Sequence, residues 1–187
     1  MLIAGVDEAG RGPIAGDVFA AAVILNTDDL IDGLDDSKKL CASRRSELDV
    51  QIKNRSIAWN IEQISVRVID EINILQASLL AMKNAVEGLG QEIDLVRVDG
   101  CHKIAVNCTC ESIVRGDQIH QEIAAASILA KVARDRYMSE LAERFPGYGF
   151  ERHKGYPTVH HLQALNTLGI TKFHRRSFGP IKSMIRQ

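Results

Sequence analysis

The pattern of apolar positions divides the first half of the chain into strands and helices. Three apolar or alternating runs have the length of strands: Leu2 to Val6, Val18 to Leu25 and Ser56 to Ile64. Between the second and third runs, a helix through about Lys53 is predicted, with Ser43 as its N-cap. From Ile72 to Leu89, apolar residues recur at spacings of three and four, which predicts an amphipathic helix capped by Asp70.

The second half of the chain contains two short strands and two further helices by the same criteria. The predicted strands run from Leu95 to Val98 and from Ser112 to Val114, and the helices from about Ile119 to Arg144 and about Thr158 to Leu168. A strand–helix–strand connection favours parallel pairing. We therefore expect the first strand and the Leu95 strand to lie side by side, with their carboxyl ends at one edge of the sheet.

Acidic residues follow the strands at that edge. Asp7 and Glu8 come after the first strand, Asp99 after the Leu95 strand, and Asp117 at the foot of the long helix. Converging carboxylates repel one another unless cations neutralise them, and their hard oxygen atoms suit Mg²⁺ or Mn²⁺. Two such ions form a clamp for in-line displacement at phosphorus. The alternative is a strand end with two solvated acids.

Composition restricts the class of protein. With 187 residues, 45% of them hydrophobic and 25% charged, the chain predicts one globular domain. It contains no apolar stretch of membrane-spanning length and no export signal, so we expect a cytoplasmic protein without membrane contact. The four cysteines do not have a zinc-binding spacing and are expected to be reduced thiols: Cys41, Cys101, Cys108 and Cys110.

Charge is distributed unevenly along the chain. Residues 1–130 contain 12 basic and 20 acidic residues, whereas residues 131–187 contain 11 basic and 4 acidic residues. A basic C-terminal part is suited to a phosphate backbone, although it can also be an ordinary solvated surface. The charge pattern therefore favours a nucleic-acid partner.

Seven segments together resemble one family. The segment Asp7-Glu8-Ala9-Gly10-Arg11-Gly12-Pro13 is similar to the signature of type 2 ribonuclease H, the bacterial ribonuclease HII. The other similar segments are Asp36 to Leu40, Val98 to Gly100, Gly116 to Asp117, Ile123 to Val132, His153 to Thr158 and His174 to Phe178. The resemblance implies an α/β ribonuclease H-like fold, with a five-stranded mixed sheet flanked by helices. It also implies one domain, with a catalytic core at about 1–145 and a basic helical extension at about 146–187.

The resemblance further implies the chemistry. Asp7, Glu8, Asp99 and Asp117 would be the catalytic carboxylates and would hold two Mg²⁺ or Mn²⁺ ions. The substrates would be the RNA strand of RNA/DNA hybrids and duplex DNA with a single embedded ribonucleotide. Cleavage of the latter would fall 5′ of the ribonucleotide and leave a 3′-hydroxyl and a 5′-phosphate.

Further residues are expected to contact the nucleic acid. Without side chains, Gly10 and Gly12 let the backbone approach a 2′-hydroxyl, and Arg11 offers a phosphate contact. Tyr156 resembles the family's tyrosine that stacks under the sugar following the ribonucleotide. Additional candidate contacts are Ser37, Lys38, Lys39, Lys154, Arg175 and Arg176.

Some features depart from the family pattern. Asp17 and Glu122 add acids near the site, and Cys108 and Cys110 form an unfamiliar pair. The alternatives are a non-catalytic hybrid-binding module and another nuclease of the fold, such as a junction resolvase or type 1 ribonuclease H. We expect a monomer; a sliding-clamp contact stays open, because Ile181 to Gln187 contain no clear motif.

Overall fold

The structure is a computed structural model that describes residues 1–186, so Gln187, at the end of the predicted extension, lies outside the described residues. Its centre is a five-stranded sheet with the order β3-β2-β1-β4-β5. β1 and β3 are antiparallel to β2, whereas β4 is parallel to both β1 and β5. The strands are β1 Ile3–Ala9, β2 Val18–Ile24, β3 Ala58–Ile64, β4 Leu95–Asp99 and β5 Thr109–Ile113.

Helices cover both faces of this sheet. On one face, α3 buries Ala81 and Met82 against Val6; on the other, α1 and α4 bury residues such as Leu48 and Leu129. No helix within residues 1–186 is long and apolar enough to cross a membrane. The helices are α1 Ala42–Arg55, α2 Val66–Ile72, α3 Ile74–Glu87, α4 Gln121–Arg144, α5 Phe150–His153, α6 Val159–Leu168 and α7 Gly179–Ile185. The expected mixed sheet with flanking helices is therefore confirmed.

The C-terminal extension packs on the end of α4 through its own apolar cluster. Leu141 of α4 meets Phe150 of α5, Leu165 of α6 and Ile181 of α7 in that cluster. Ile14, from the segment after β1, belongs to the same cluster. The extension is thus attached at the end of the sheet where β1 leaves it.

Two helix starts differ from the sequence prediction. Cys41, not Ser43, precedes α1 as its N-cap. The helix predicted from Asp70 is split into α2 and α3 at Asn73, whose φ of 67° breaks the helix and whose side chain caps α3. Asp70 itself lies inside α2, and its Oδ1 accepts a hydrogen bond from the backbone N–H of Ser177 at 2.9 Å.

One strand and one helix also begin at residues other than those predicted. β5 begins at Thr109, earlier than the predicted Ser112, and α4 begins at Gln121, after the exposed Ile119. Cys108 and Cys110, at the start of β5, are partly buried free thiols.

Candidate active site

Strand pairing brings carboxylates from three elements to one edge of the sheet. β1 and β4 are parallel, and continuing their register by one residue places Asp7 beside Asp99. Glu8 is the next residue of β1. The backbone N–H of Gly116 donates to Asp99 Oδ1 at 2.7 Å and so ties the 3₁₀ turn that contains Asp117 to the end of β4.

Burial makes three of these carboxylates, Asp7, Glu8 and Asp117, costly to ionise. Asp7 is only 7% exposed, and burial, followed by the charges of Glu8 and Asp99, raises its pKa well above the usual value. Burial also raises the pKa of Glu8, against the opposing effect of Arg11, whose guanidinium lies 3.3 Å from it. The pKa of Asp117 is raised as well, mainly by burial. The edge therefore favours a bound cation.

The donor set fits a hard divalent ion, because all its side chains offer carboxylate oxygen atoms. Within residues 1–186, no three His, Cys, Asp or Glu side chains converge as ligands of a single ion. Mg²⁺ is commonly held by one or two carboxylates, with water and substrate phosphate completing its coordination. The burial of Asp7 among other acids is the observation that favours such an ion here.

The acidic edge opens into a cavity of about 330 Å³. The turn formed by Gly10, Arg11 and Gly12 lines this cavity beside the two acids of β1. Gly10 has a φ of 98°, which side chains disfavour, and a Cβ there would lie 2.0 Å from Arg134 Nε. The turn can lie directly on Arg134 because residue 10 has no side chain.

Tyr156 lines the same cavity from the C-terminal extension and is 46% exposed. A Cβ on Gly12 would lie 3.2 Å from Tyr156 Cε1, so the turn and the aromatic ring are close neighbours. The backbone N–H of Ile14 donates to the carbonyl of Gly155 at 2.9 Å. The structure thus brings the glycine-rich turn and Tyr156 together at one site.

The other predicted contacts are placed differently. Ser37, 6% exposed, and Lys38, which is exposed, both line the cavity. Lys39 lies nearby and pairs with Asp35 at 3.1 Å. Arg176 is exposed in the tail, outside the cavity wall. Their roles on a nucleic acid stay predictions.

The structure places Arg175 differently from the prediction made from the sequence. Its side chain is fully buried, and its guanidinium donates to three backbone carbonyls of residues 10–16 at 2.6–2.9 Å. The prediction of a phosphate contact is therefore wrong for Arg175, because its donors point into the protein. Lys154 is half-buried, and its ammonium donates to the Asp135 carbonyl at 3.2 Å and the Ser139 hydroxyl at 3.1 Å.

Sequence reasoning did not assign three residues of α4 that line the cavity. These are Ser127, Lys131 and Arg134. Their spacing of four and then three residues places them on one face of a helix, which is the signal that indicates them. It also missed Asp36, a buried acid whose charge acts on Asp117.

The two additional acids have partners within the fold. Asp17 Oδ1 accepts the backbone N–H of Val66 at 2.9 Å, at the first residue of α2. Glu122 Oε1 accepts from Arg97 Nη1 at 2.8 Å. Both carboxylates therefore have hydrogen-bond partners outside the acidic edge.

Comparisons with known proteins agree with this architecture. The family model described as ribonuclease HII matches residues 4–180. A ribonuclease HII of Marinomonas sp. (strain MWYL1) is 53% identical over 186 residues, covering 98% of this chain and 93% of that protein. The ribonuclease HII in a PCNA complex from Archaeoglobus fulgidus has a TM-score of 0.82 at 24% identity, covering 96% of each chain. Ribonuclease HIII of Bst, in complex with Mn²⁺, has a TM-score of 0.74 at 16% identity, covering 100% of this chain and 70% of that one.

The mixed sheet with its flanking helices has the ribonuclease H fold. Within that fold class, the chain belongs to the ribonuclease HII family. It is therefore a ribonuclease H, an endonuclease that hydrolyses the RNA strand of RNA/DNA hybrids. The carboxylate donors of the acidic edge suit a divalent metal ion.

Proposed function

We propose that this enzyme also incises duplex DNA 5′ of a single embedded ribonucleotide and leaves a 3′-hydroxyl and a 5′-phosphate. The observation that carries the proposal is one cavity that combines Asp7 and Glu8 of the acidic edge with the Gly10 to Gly12 turn and Tyr156. The turn offers backbone groups to a 2′-hydroxyl, the one group that distinguishes a ribonucleotide from its deoxy neighbours. Tyr156 offers an aromatic surface to the next sugar.

Asp7, Glu8, Asp99 and Asp117 would hold two Mg²⁺ or Mn²⁺ ions. When bound, such ions supply Lewis-acid activation of water and stabilise the leaving oxygen. The chain's own residues orient the substrate: the exposed Lys38 and Arg11 offer cationic groups to phosphates at the cavity wall. Correct orientation of the scissile phosphate then depends on simultaneous contact with the turn and with Tyr156.

The proposal is tested with four Mg²⁺-containing reactions and end analysis of the products. The substrates are a duplex with one ribonucleotide, a continuous RNA/DNA hybrid, an all-DNA duplex and a four-way DNA junction. We expect cleavage of the first two only, with a single incision 5′ of the embedded ribonucleotide. Asp99→Asn protein, purified in parallel, controls for contaminating nucleases.

Each alternative gives a different result. A hybrid-binding module would bind the first two substrates and cut none, and a junction resolvase would cut the four-way junction. An enzyme with type 1 specificity would cut the continuous hybrid but leave the single ribonucleotide intact. Any of these outcomes would overturn the proposal.

A further inference from the structure

Two buried arginines hold the turn after β1 from inside the protein. Arg134, on α4, is 2% exposed, and Arg175, in the tail, is fully buried. Among residues 1–186, every hydrogen-bond acceptor of the two guanidinium groups is a main-chain carbonyl oxygen. Because a buried guanidinium is costly unless its donors are satisfied, these carbonyls are fixed in position.

Arg175 acts on the part of the turn that lines the cavity. Its Nη2 donates to the Gly10 carbonyl at 2.6 Å and its Nη1 to the Arg11 carbonyl at 2.9 Å. The same side chain holds the Gly16 carbonyl at 2.7 and 2.9 Å. One planar guanidinium therefore holds carbonyls at both ends of the segment from Gly10 to Gly16.

This arrangement determines where the backbone donors point. All peptide bonds in the described chain are trans, so each C=O is opposed to the N–H of the following residue. With the carbonyls of Gly10 and Arg11 directed at Arg175, the N–H groups of Arg11 and Gly12 point away from it. Within residues 1–186 these two N–H groups have no acceptor, and both residues are exposed at the cavity wall. They are available to a ligand oxygen atom.

Arg134 joins this turn to the loop that contains Tyr156. Its Nη2 donates to the Ala15 carbonyl at 3.2 Å and its Nη1 to the Lys154 carbonyl at 3.1 Å. The loop also packs directly against the segment after β1, because a Cβ on Gly155 would lie 2.4 Å from the Ala15 carbonyl oxygen. The two recognition segments therefore share one buried support.

We propose that Arg175 and Arg134 are positioning residues for ribonucleotide recognition. Arg175 presents the N–H groups of Arg11 and Gly12 to the 2′-hydroxyl, and Arg134 keeps the Tyr156 loop aligned with them. The inference rests on the proposed function, since it names the residues that prepare the same site.

The test uses Arg175→Lys, which keeps the positive charge but cannot span three carbonyls with one ammonium. Binding is measured in an Asp99→Asn background, with Mg²⁺ present, to two duplexes that differ by a single 2′-hydroxyl. Arg67→Lys, an exposed arginine of α2 with a side chain 86% exposed, is the matched control. Thermal unfolding verifies that each variant is folded.

We expect Arg175→Lys to lower the preference for the ribonucleotide duplex about tenfold, which corresponds to about 1.4 kcal/mol, because the N–H groups of Arg11 and Gly12 lose their fixed direction. The Kd for the all-DNA duplex should change less than about twofold, because the net charge is unchanged. Equal weakening on both duplexes would indicate a merely structural role and overturn the proposal. An unchanged preference in a folded Arg175→Lys protein would overturn it as well.

If Arg175→Lys does not fold, the Asp99→Asn protein still tests the contact of the Arg11 and Gly12 N–H groups with the 2′-hydroxyl, on which the proposal depends. Amide NMR shifts of Arg11 and Gly12 should move downfield with the ribonucleotide duplex and much less with the all-DNA duplex. Equal shifts with both duplexes would contradict the proposal. A background protein with no preference, together with an unmodified enzyme that fails to cut the single ribonucleotide, would instead contradict the proposed function and this inference with it.

Discussion

The acidic edge and the buried basic side chains of His161, His174 and Arg175, together called the basic cluster here, both remove ionisable groups from water, with opposite outcomes. At the acidic edge, burial and neighbouring charges raise the pKa of Asp7. In the basic cluster, burial lowers the pKa of Arg175 to about 9, which leaves it charged at neutral pH, and its donors are taken up by carbonyls.

The histidines of the basic cluster are satisfied in the same way. His174 Nδ1 accepts the backbone N–H of Thr171 at 3.0 Å, so the proton of the neutral ring is assigned to Nε2. That N–H faces His161 Nε2 at 3.1 Å, and His161 Nδ1 donates to the Tyr156 carbonyl at 2.9 Å. Each ring therefore has one donor and one acceptor in use.

This difference distinguishes buried charges that stabilise the fold from buried charges that bind a ligand. A buried group whose donors and acceptors are paired within the chain stabilises one arrangement of the backbone. A buried acid surrounded by other acids destabilises the free protein and is neutralised by a bound cation. The following predictions test this distinction, beginning with the largest expected effect.

Asp99→Asn should reduce cleavage of every substrate by about 10²–10³-fold or more, because it removes charge from the cation site. Asn has almost the same volume, and its Oδ1 can still accept the Gly116 N–H that now lies at 2.7 Å. The fold should therefore persist, as circular dichroism and thermal unfolding would verify. Near-normal cleavage by this variant would remove Asp99 from the metal ligands.

Tyr156→Ala should lose about tenfold more activity on a single embedded ribonucleotide than on a continuous hybrid, since it removes roughly 1.5 kcal/mol of contact. A continuous RNA strand offers many registers and lacks the deoxyribose partner. Tyr156→Phe, which keeps the ring, is the matched control. Gly12→Val should damage both substrates, because every cut needs the Gly10 to Gly12 turn to contact a 2′-hydroxyl, and the added side chain would disturb that turn. Equal losses on both substrates for Tyr156→Ala would leave Tyr156 a packing residue.

The parts of the fold that the sequence predicts are those set by local pattern. The apolar runs of β1 and β4, and the acids that end them, predict the parallel pair and the acidic edge. The break at Asn73 cannot be predicted from the sequence, because the apolar spacing continues across it and only a positive φ separates α2 from α3. The burial of Arg175 cannot be predicted either, because arginine is usually exposed and because its partners are backbone carbonyls, which have no sequence signal.

Acid should destabilise the basic cluster. The pKa of His161 and that of His174 are lowered to about 4, chiefly by burial, whereas an unfolded histidine titrates near 6.5. The unfolded chain then binds more protons between these values, so this contribution to stability is complete above about pH 6.5 and falls toward pH 4. Denaturant unfolding at pH 7.5 and 5.0 should show a smaller loss for His161→Gln, which keeps a donor and an acceptor. The same loss in both proteins would refute this assignment.

Arg176→Ala should produce the smallest effect, a modest weakening of hybrid binding. If Arg176 contacts a phosphate, the slope of log Kd against log salt concentration should fall by about one. Lys83→Ala, on the exposed face of α3, removes the same charge and controls for net charge. Equal slopes for Arg176→Ala and the unmodified enzyme would place Arg176 away from the substrate.

The most direct test of the acidic edge is thermal unfolding with and without Mg²⁺ or Mn²⁺, for the unmodified enzyme and Asp99→Asn. Without metal, Asp99→Asn should melt at a higher temperature, by about 2–4 °C for each kcal/mol of repulsion removed. Added metal should raise the Tm of the unmodified enzyme and raise that of the variant much less. If metal leaves both proteins unchanged, or if the metal-free variant is the less stable one, these carboxylates do not form a cation site.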